Sequence, residues 1–283
     1  ARRLAKFGVN LVRFHQLDGE WATPNIFQFT KGNRLASTRQ LDPESMERLD
    51  YLIHCLKREG IYCYLDMLTY RRFRTGDDVP AAERLGNAAR PYSNFDPRLI
   101  ELQKEFCTQI WTHVNPYTGL AYRDDPAIAL TEIANENEMF GDMANLVEPY
   151  RSELEARYAA WLERRGLPAA PRPVAFEKTT ENLLAFIVET MQDYYEQMHR
   201  HLTDLGVRIP IAGTNWVRGG AASLEAQRRL PFMDSHTYFY NWGWKPDVKE
   251  VKTDSMLGHV DPWYGSLLLM RTLDRPFFVS EWD

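Results

Sequence analysis

Apolar, β-branched runs alternate with amphipathic stretches along the whole chain. Six runs have strand character: 9–15, 61–68, 128–135, 208–216, 233–239 and 277–282. Between the first two, Asp42 reads as a helix N-cap with Pro43 at the first helical position. Met46, Leu49, Ile53 and Leu56 then recur at helical spacing until Gly60. The same grammar returns with Asp96, Pro97 and the stripe Leu102, Phe106 and Ile110. A longer stripe of Leu184, Ile187, Met191, Tyr195, Met198, Leu202 and Leu205 stops at Gly206. Strand followed by helix, repeated, predicts βα units around a parallel sheet.

Two connections after strands, 16–41 and 70–95, are long for simple turns. An insertion at about 139–178 follows the third run. In it Tyr150, Leu154, Tyr158 and Trp161 predict an extra helix, and Pro168, Pro171 and Pro173 mark an irregular linker. All three additions follow a strand, and in an α/β barrel such segments build the C-terminal face, where active sites lie. Six strands do not close an eight-stranded barrel, and Ala1 falls in the tail of a helix. The expectation is therefore an α/β fold, a (β/α)8 TIM barrel present as a fragment lacking the first strand with most of its helix and the last βα unit. Residues 1–283 form one partial catalytic domain.

Composition narrows the chemistry. A net charge of −5 and a pI near 5.9 give no basic field for phosphate backbones, so nucleic acid is not an expected partner. Arg71-Arg72-Phe73-Arg74 and Met198-His199-Arg200-His201 read as solvated faces. No apolar run approaches the ~18 residues needed to cross a bilayer. Cys55, Cys63 and Cys107 are odd in number and not at C-x-x-C spacing, which predicts small buried hydrophobes. No dinucleotide, P-loop or nucleophile-elbow motif is present, and no cofactor is expected. No His-x-His or His-x-x-x-His pair lies at a strand end, so no metal site is expected either, although His15, His236 and Asp66 invite one. Aromatic residues make up 13% of the chain and crowd the loops, a pattern suited to ligand contact.

Two carboxylates stand at strand exits: Glu136 in Ile133-Ala134-Asn135-Glu136-Asn137, and Glu281 after Phe277-Phe278-Val279-Ser280. Desolvating a carboxylate without a partner costs several kcal/mol, so two such placements point to acid/base work. Glu132, in mid-strand, reads as a buried ion-pair partner, and Glu138 is displaced from the Asn-Glu register. Period-two counting puts Arg13 on the face of Val9 and Leu11, pointing inward.

In order and placement these residues resemble the retaining glycoside hydrolases of clan A (the 4/7 superfamily), and among them the cellulase-like enzymes of family 5. With a first strand restored before Ala1, Asn135-Glu136 matches the family's Asn-Glu at strand four. Glu281 matches the glutamate of strand seven, Arg13 the strand-two arginine, and His236-Thr237-Tyr238 the His-x-Tyr of strand six. The resemblance implies Glu136 as acid/base and Glu281 as nucleophile in the cleavage of β-linked glycans or glycosides, with Arg13, His15, Asn135, His236 and Tyr238 in support. Arg13 is expected to keep Glu281 ionised, and burial beside an anion to raise the Glu136 pKa. Trp242 and Trp282 are expected to stack on sugar. An oligo- or polysaccharide is the implied partner, and secretion or periplasmic placement follows from the resemblance alone. The same residues also suit transglycosylation, and a barrel of this kind can bind carbohydrate or protein without turnover.

Overall fold

The computed structural model describes residues 1–23, 25–28, 36–141, 143–178, 180–238 and 271–282. Strands β1 (Leu11–Phe14), β2 (Tyr62–Leu68), β3 (Ile128–Ala134) and β4 (Ile211–Ala212) form a parallel sheet in chain order. β5 (Met233–Thr237) and β6 (Phe277–Trp282) form a second parallel pair. The His236 backbone N–H donates to the Asn215 carbonyl at 3.2 Å, joining the segment after β4 to β5.

All six strands contribute to one interior. Tyr64 of β2 is buried with Ala212 of β4 and Phe232, against Leu11 of β1, Leu130 of β3 and Phe278 of β6. Its hydroxyl crosses to Asp234 of β5 at 2.7 Å. Successive parallel strands whose inward side chains meet in this way make the wall of a (β/α)8 barrel.

Helix α1 (Arg2–Lys6) precedes β1, and α2 (Pro43–Arg58), α3 (Pro97–Thr112), α4 (Tyr150–Arg164), α5 (Glu181–Asp204) and α6 (Ala221–Ala226) lie between the strands in sequence. The predicted caps form: Asp42 accepts from Ser45 N at 2.9 Å and Asp96 from Leu99 N at 2.8 Å. Each such cap stabilises its helix by about 1 kcal/mol. Within the insertion, Tyr150, Leu154, Tyr158 and Trp161 of α4 are all buried. The buried stripe of α5 is wider than its sequence suggests. Leu183, Phe186 and Tyr194 join it, while Leu184 and Leu205 are half-buried. No helix of the described residues is long and apolar enough to cross a membrane.

The fourth predicted strand, 208–216, is mostly not strand. After Ala212, polar side chains take over the backbone groups: Thr214 N donates to Gln227 Oε1 at 2.9 Å, and Thr214 Oγ1 accepts from Asn137 N at 3.1 Å. A Cβ at Gly213 would collide with Gln227 and Leu230, so this segment runs close against α6 and the turn that follows it. The first strand is also shorter than 9–15, and Gln16 beyond it has a left-handed φ of 63°.

Arg71 departs from the solvated reading of its basic cluster, being only 2% exposed. Its guanidinium lies over Phe27 and Phe73 and donates to the carbonyls of Thr38 and Leu102. Burial pulls its pKa down to about 10. It ties the long segments after β1 and β2 together beside the mouth of the barrel. Asp18 does the same from the other side, accepting from Thr69 N and Tyr70 N, each at 2.9 Å.

Candidate active site

Arg13 organises the C-terminal ends of the strands. It projects inward from β1, and its guanidinium reaches Asp66 of β2 at 3.0 and 2.8 Å. It also contacts Glu132 of β3 at 3.4 Å, Asn135 Oδ1 at 2.9 Å and Glu281 Oε1 of β6 at 2.5 Å. Burial opposes this cation, but Asp66, Glu132 and Glu281 together push its pKa above the ordinary arginine value. Tyr238 donates to the other oxygen of Glu281. His15 stands against Asp66 at 2.7 Å, with its second nitrogen 3.6 Å from Glu281.

Glu136 is held differently. It has a left-handed φ of 45°, which costs a non-glycine residue about 1–2 kcal/mol. Asn215 fixes that conformation, its Oδ1 accepting from Glu136 N at 2.9 Å. Its Nδ2 donates to Glu132 and to Asn135 Oδ1, both at 2.9 Å. The Glu136 carboxylate meets His236 Nδ1 at 3.2 Å and Arg90 Nη1 at 4.0 Å. His236 Nε2 lies 3.0 Å from Ser280 Oγ and 3.5 Å from Glu281. One ligand atom each from Glu136, His236 and Glu281 lie within 4.8 Å of one another. This trio is also the grouping among the described residues that could take a metal ion, but the Arg13 guanidinium against Glu281 opposes a second cation there.

The electrostatics differ from the sequence expectation for Glu136. Burial pushes its carboxyl up, but the His236 hydrogen bond, the His236 charge and Arg90 outweigh it and leave it below the usual glutamate value. The expected raised pKa rested on burial and Glu281 alone. Glu281 is also held low: burial is outweighed by His236, the Tyr238 hydroxyl and Arg13. Glu132 is the carboxyl that goes up. It is fully buried, with Asp234 and Asp66 nearby, and its protonated form is favoured.

No protein-family model matches the sequence, and no curated protein does. Solved structures do. The chain is similar to the endo-1,4-β-mannanase of Rhizomucor miehei (16% identity, TM-score 0.53, 87% of this chain and 63% of that one). It is likewise similar to a glycoside hydrolase family 5 mannosidase from the same organism (13%, TM-score 0.58, 99% and 61%). A third is a hyperthermostable endo-1,4-β-D-mannanase of Thermotoga petrophila (18%, TM-score 0.56, 99% and 72%). The fold is the one shared by these glycoside hydrolases. The chain spans about three-fifths of the length of the two Rhizomucor enzymes.

On this barrel Arg13, His15, Asn135, Glu136, His236, Tyr238 and Glu281 come together at one mouth. Trp282 is 68% exposed, and Trp242 lies outside the described residues. Glu138, the displaced rival, faces another way. It accepts from Arg218 N and Ser223 Oγ, both at 2.6 Å, and burial lifts it to about 6. Sequence reasoning passed over Asn215, Arg90 and Ser280. Asn215 follows the rule that found Glu136, a polar residue where an apolar run ends. Arg90 has no local signal, because its partners come from distant segments.

Proposed function

We propose that this protein is a retaining glycoside hydrolase that cleaves β-linked glycans or glycosides through a glycosyl-enzyme intermediate. One observation carries the reading: Glu136 and Glu281 present carboxylate oxygens within 4.8 Å of each other, at the mouth of a glycoside hydrolase barrel. Retaining enzymes hold their carboxyl groups about 5–5.5 Å apart, whereas inverting ones separate them by about 6.5–9.5 Å to admit water. The nearest carboxylate oxygens here suit the shorter of these two spacings.

Glu281 is the nucleophile. Arg13 and Tyr238 keep it ionised and aimed, and its attack on the anomeric carbon breaks the glycosidic C–O bond. The departing oxygen takes the proton of Glu136. In the second step Glu136 removes a proton from water, whose oxygen attacks the anomeric carbon and releases Glu281. In the free protein Glu136 sits low, so its acid form has to be gained on the way to the transition state. His236 Nδ1 lies 3.2 Å from the Glu136 carboxylate. Asn135 offers a sugar hydroxyl its amide. Both contacts to Asn135 Oδ1 are made by donors, while its buried Nδ2 has no acceptor among the described residues.

The experiment is product stereochemistry together with rescue. Hydrolysis followed by NMR is expected to release the β-anomer first, and Glu281→Ala is expected to lose at least 10³-fold in kcat, with azide restoring turnover to an α-glycosyl azide. Initial release of the α-anomer, or wild-type turnover by Glu281→Ala, ends the proposal.

A further inference from the structure

We propose that the wall of the cleft beside Glu136, built from Arg90, Trp216 and Arg218, binds a sugar carboxylate, so that the glycan carries a uronic acid on the leaving-group side of the scissile bond. This rests on the assignment of Glu136 as acid/base, since that residue marks the leaving-group side.

Arg90 is the central observation. Its Nη2 is engaged by the carbonyls of Asn135 at 3.1 Å and Thr69 at 3.3 Å, which fix the guanidinium in place. Its nearest ion-pair partner, Glu136, is 4.0 Å away, beyond hydrogen-bond reach, and its buried Nε has no acceptor among the described residues. Burial pushes this guanidinium below the ordinary arginine value, and Glu136 and Tyr70 only partly offset that push. Tyr70 hydrogen-bonds the side chain, but a cation held mostly out of water with its carboxylate partner at 4.0 Å still favours an anion brought to it.

The rest of the wall suits a sugar bearing that anion. The Arg90 guanidinium lies 5.0 Å from the Trp216 ring and 5.4 Å from that of Tyr70. The Arg218 guanidinium lies 3.4 Å from the centroid of Trp216. Arg218 is held there, since a Cβ at Gly141 would collide with its guanidinium. Guanidinium forks match a carboxylate in a way that a neutral hydroxymethyl group does not. The chemistry of Glu136 adds to the argument. When Glu136 carries the proton it gives to the leaving oxygen, Arg90 loses the carboxylate charge nearest it among the described residues, and a uronate replaces it.

The test is calorimetric titration of the protein with sodium glucuronate and with glucose at matched ionic strength. Glucuronate is expected to bind at least tenfold more tightly, and R90Q to abolish that preference. Equal affinity for the two sugars, no glucuronate binding, or a preference surviving in R90Q overturns the proposal. If R90Q fails to fold, R218Q at an exposed position decides. A reduced preference supports the site, and an unchanged one overturns it. The titration reads binding alone. Failure of a 2-deoxy-2-fluoro glycoside to label Glu281 would count against the hydrolase reading without altering the titration.

Discussion

Replacing Arg13 by Gln tests the electrostatic design of the site. The substitution leaves Asp66, 2% exposed, without the cation that meets it at 3.0 and 2.8 Å. Breaking a buried pair from one side costs about 3–5 kcal/mol. Glu132 adds little to that loss, because its protonated form is already favoured. For Glu281, unit charges about 4 Å apart at an effective dielectric near 20 interact by about 4 kcal/mol. The Glu281 side chain is 27% exposed, and solvent screening reduces this to roughly half, so loss of Arg13 raises the Glu281 pKa. The sign follows from linkage. The folded-state pKa of Glu281 is depressed, so its contribution is full above its unfolded pKa of about 4.3 and is lost as pH falls through the folded value. In Arg13→Gln the acid limb of kcat/KM, if it reports ionisation of Glu281, is expected to move to higher pH. Urea unfolding followed by circular dichroism measures the stability loss. Arg13→Lys, which keeps the charge but not the two-oxygen grip on Asp66, is expected to show a smaller limb shift. A folded Arg13→Gln protein within about 1 kcal/mol of wild type, or an unmoved acid limb, would refute this account.

Three further outcomes follow from the same contacts. Glu132→Gln is expected to be tolerated, with a stability advantage that grows as pH rises above about 4.3. A carboxyl whose folded pKa is raised binds more protons folded than unfolded, and so loses stability with rising pH. Chemical denaturation at pH 5 and pH 8 checks the trend, and a large loss at both would mean that Glu132 is ionised. Asn215→Ala strips the acceptor from Glu136 N and two donors from the interior. It is expected to cost about 1–3 kcal/mol in unfolding and to lower kcat more than it raises KM. Tyr238→Phe removes a hydrogen bond to the Glu281 carboxylate, worth about 1.5–3 kcal/mol, and is expected to lower kcat/KM about tenfold to a hundredfold. Because Tyr238 is 38% exposed, its thermal midpoint is expected to stay near wild type.

What the sequence made legible was local. Asp42-Pro43 and Asp96-Pro97 state where two helices begin because the cap and the first turn are short-range chemistry. Period-two alternation places Arg13 inside because pleating is short-range too. The 208–216 run reads as strand by composition, yet Thr214 and Asn215 pair with groups on other segments and end β4 at Ala212. Arg71 looks solvated beside two more arginines, but its partners Phe27, Thr38 and Leu102 belong to distant segments that folding brings around it. The Glu136 protonation state was misjudged for the same reason. Burial and Glu281 raise it, whereas His236 from β5 and Arg90 from the long segment after β2 outweigh them and lower it.

The barrel resolves a charge problem that no single segment can. Each described strand brings a polar group to the mouth, at its end or just beyond it: Arg13, Asp66, Asn135, Asn215, His236 and Glu281. Below them lies the interior layer of Leu11, Tyr64, Leu130, Ala212 and Phe278. That layer excludes water, so every charge above it needs a partner within the mouth. One arginine faces three carboxyls, and burial with Asp66 and Asp234 nearby raises the pKa of one of them, Glu132, well above the usual glutamate value. The closer contacts of Arg13 are to Asp66, which anchors it, and to Glu281, whose pKa it lowers. A carboxyl that shares its arginine with Glu281 thus bears directly on the state of Glu281.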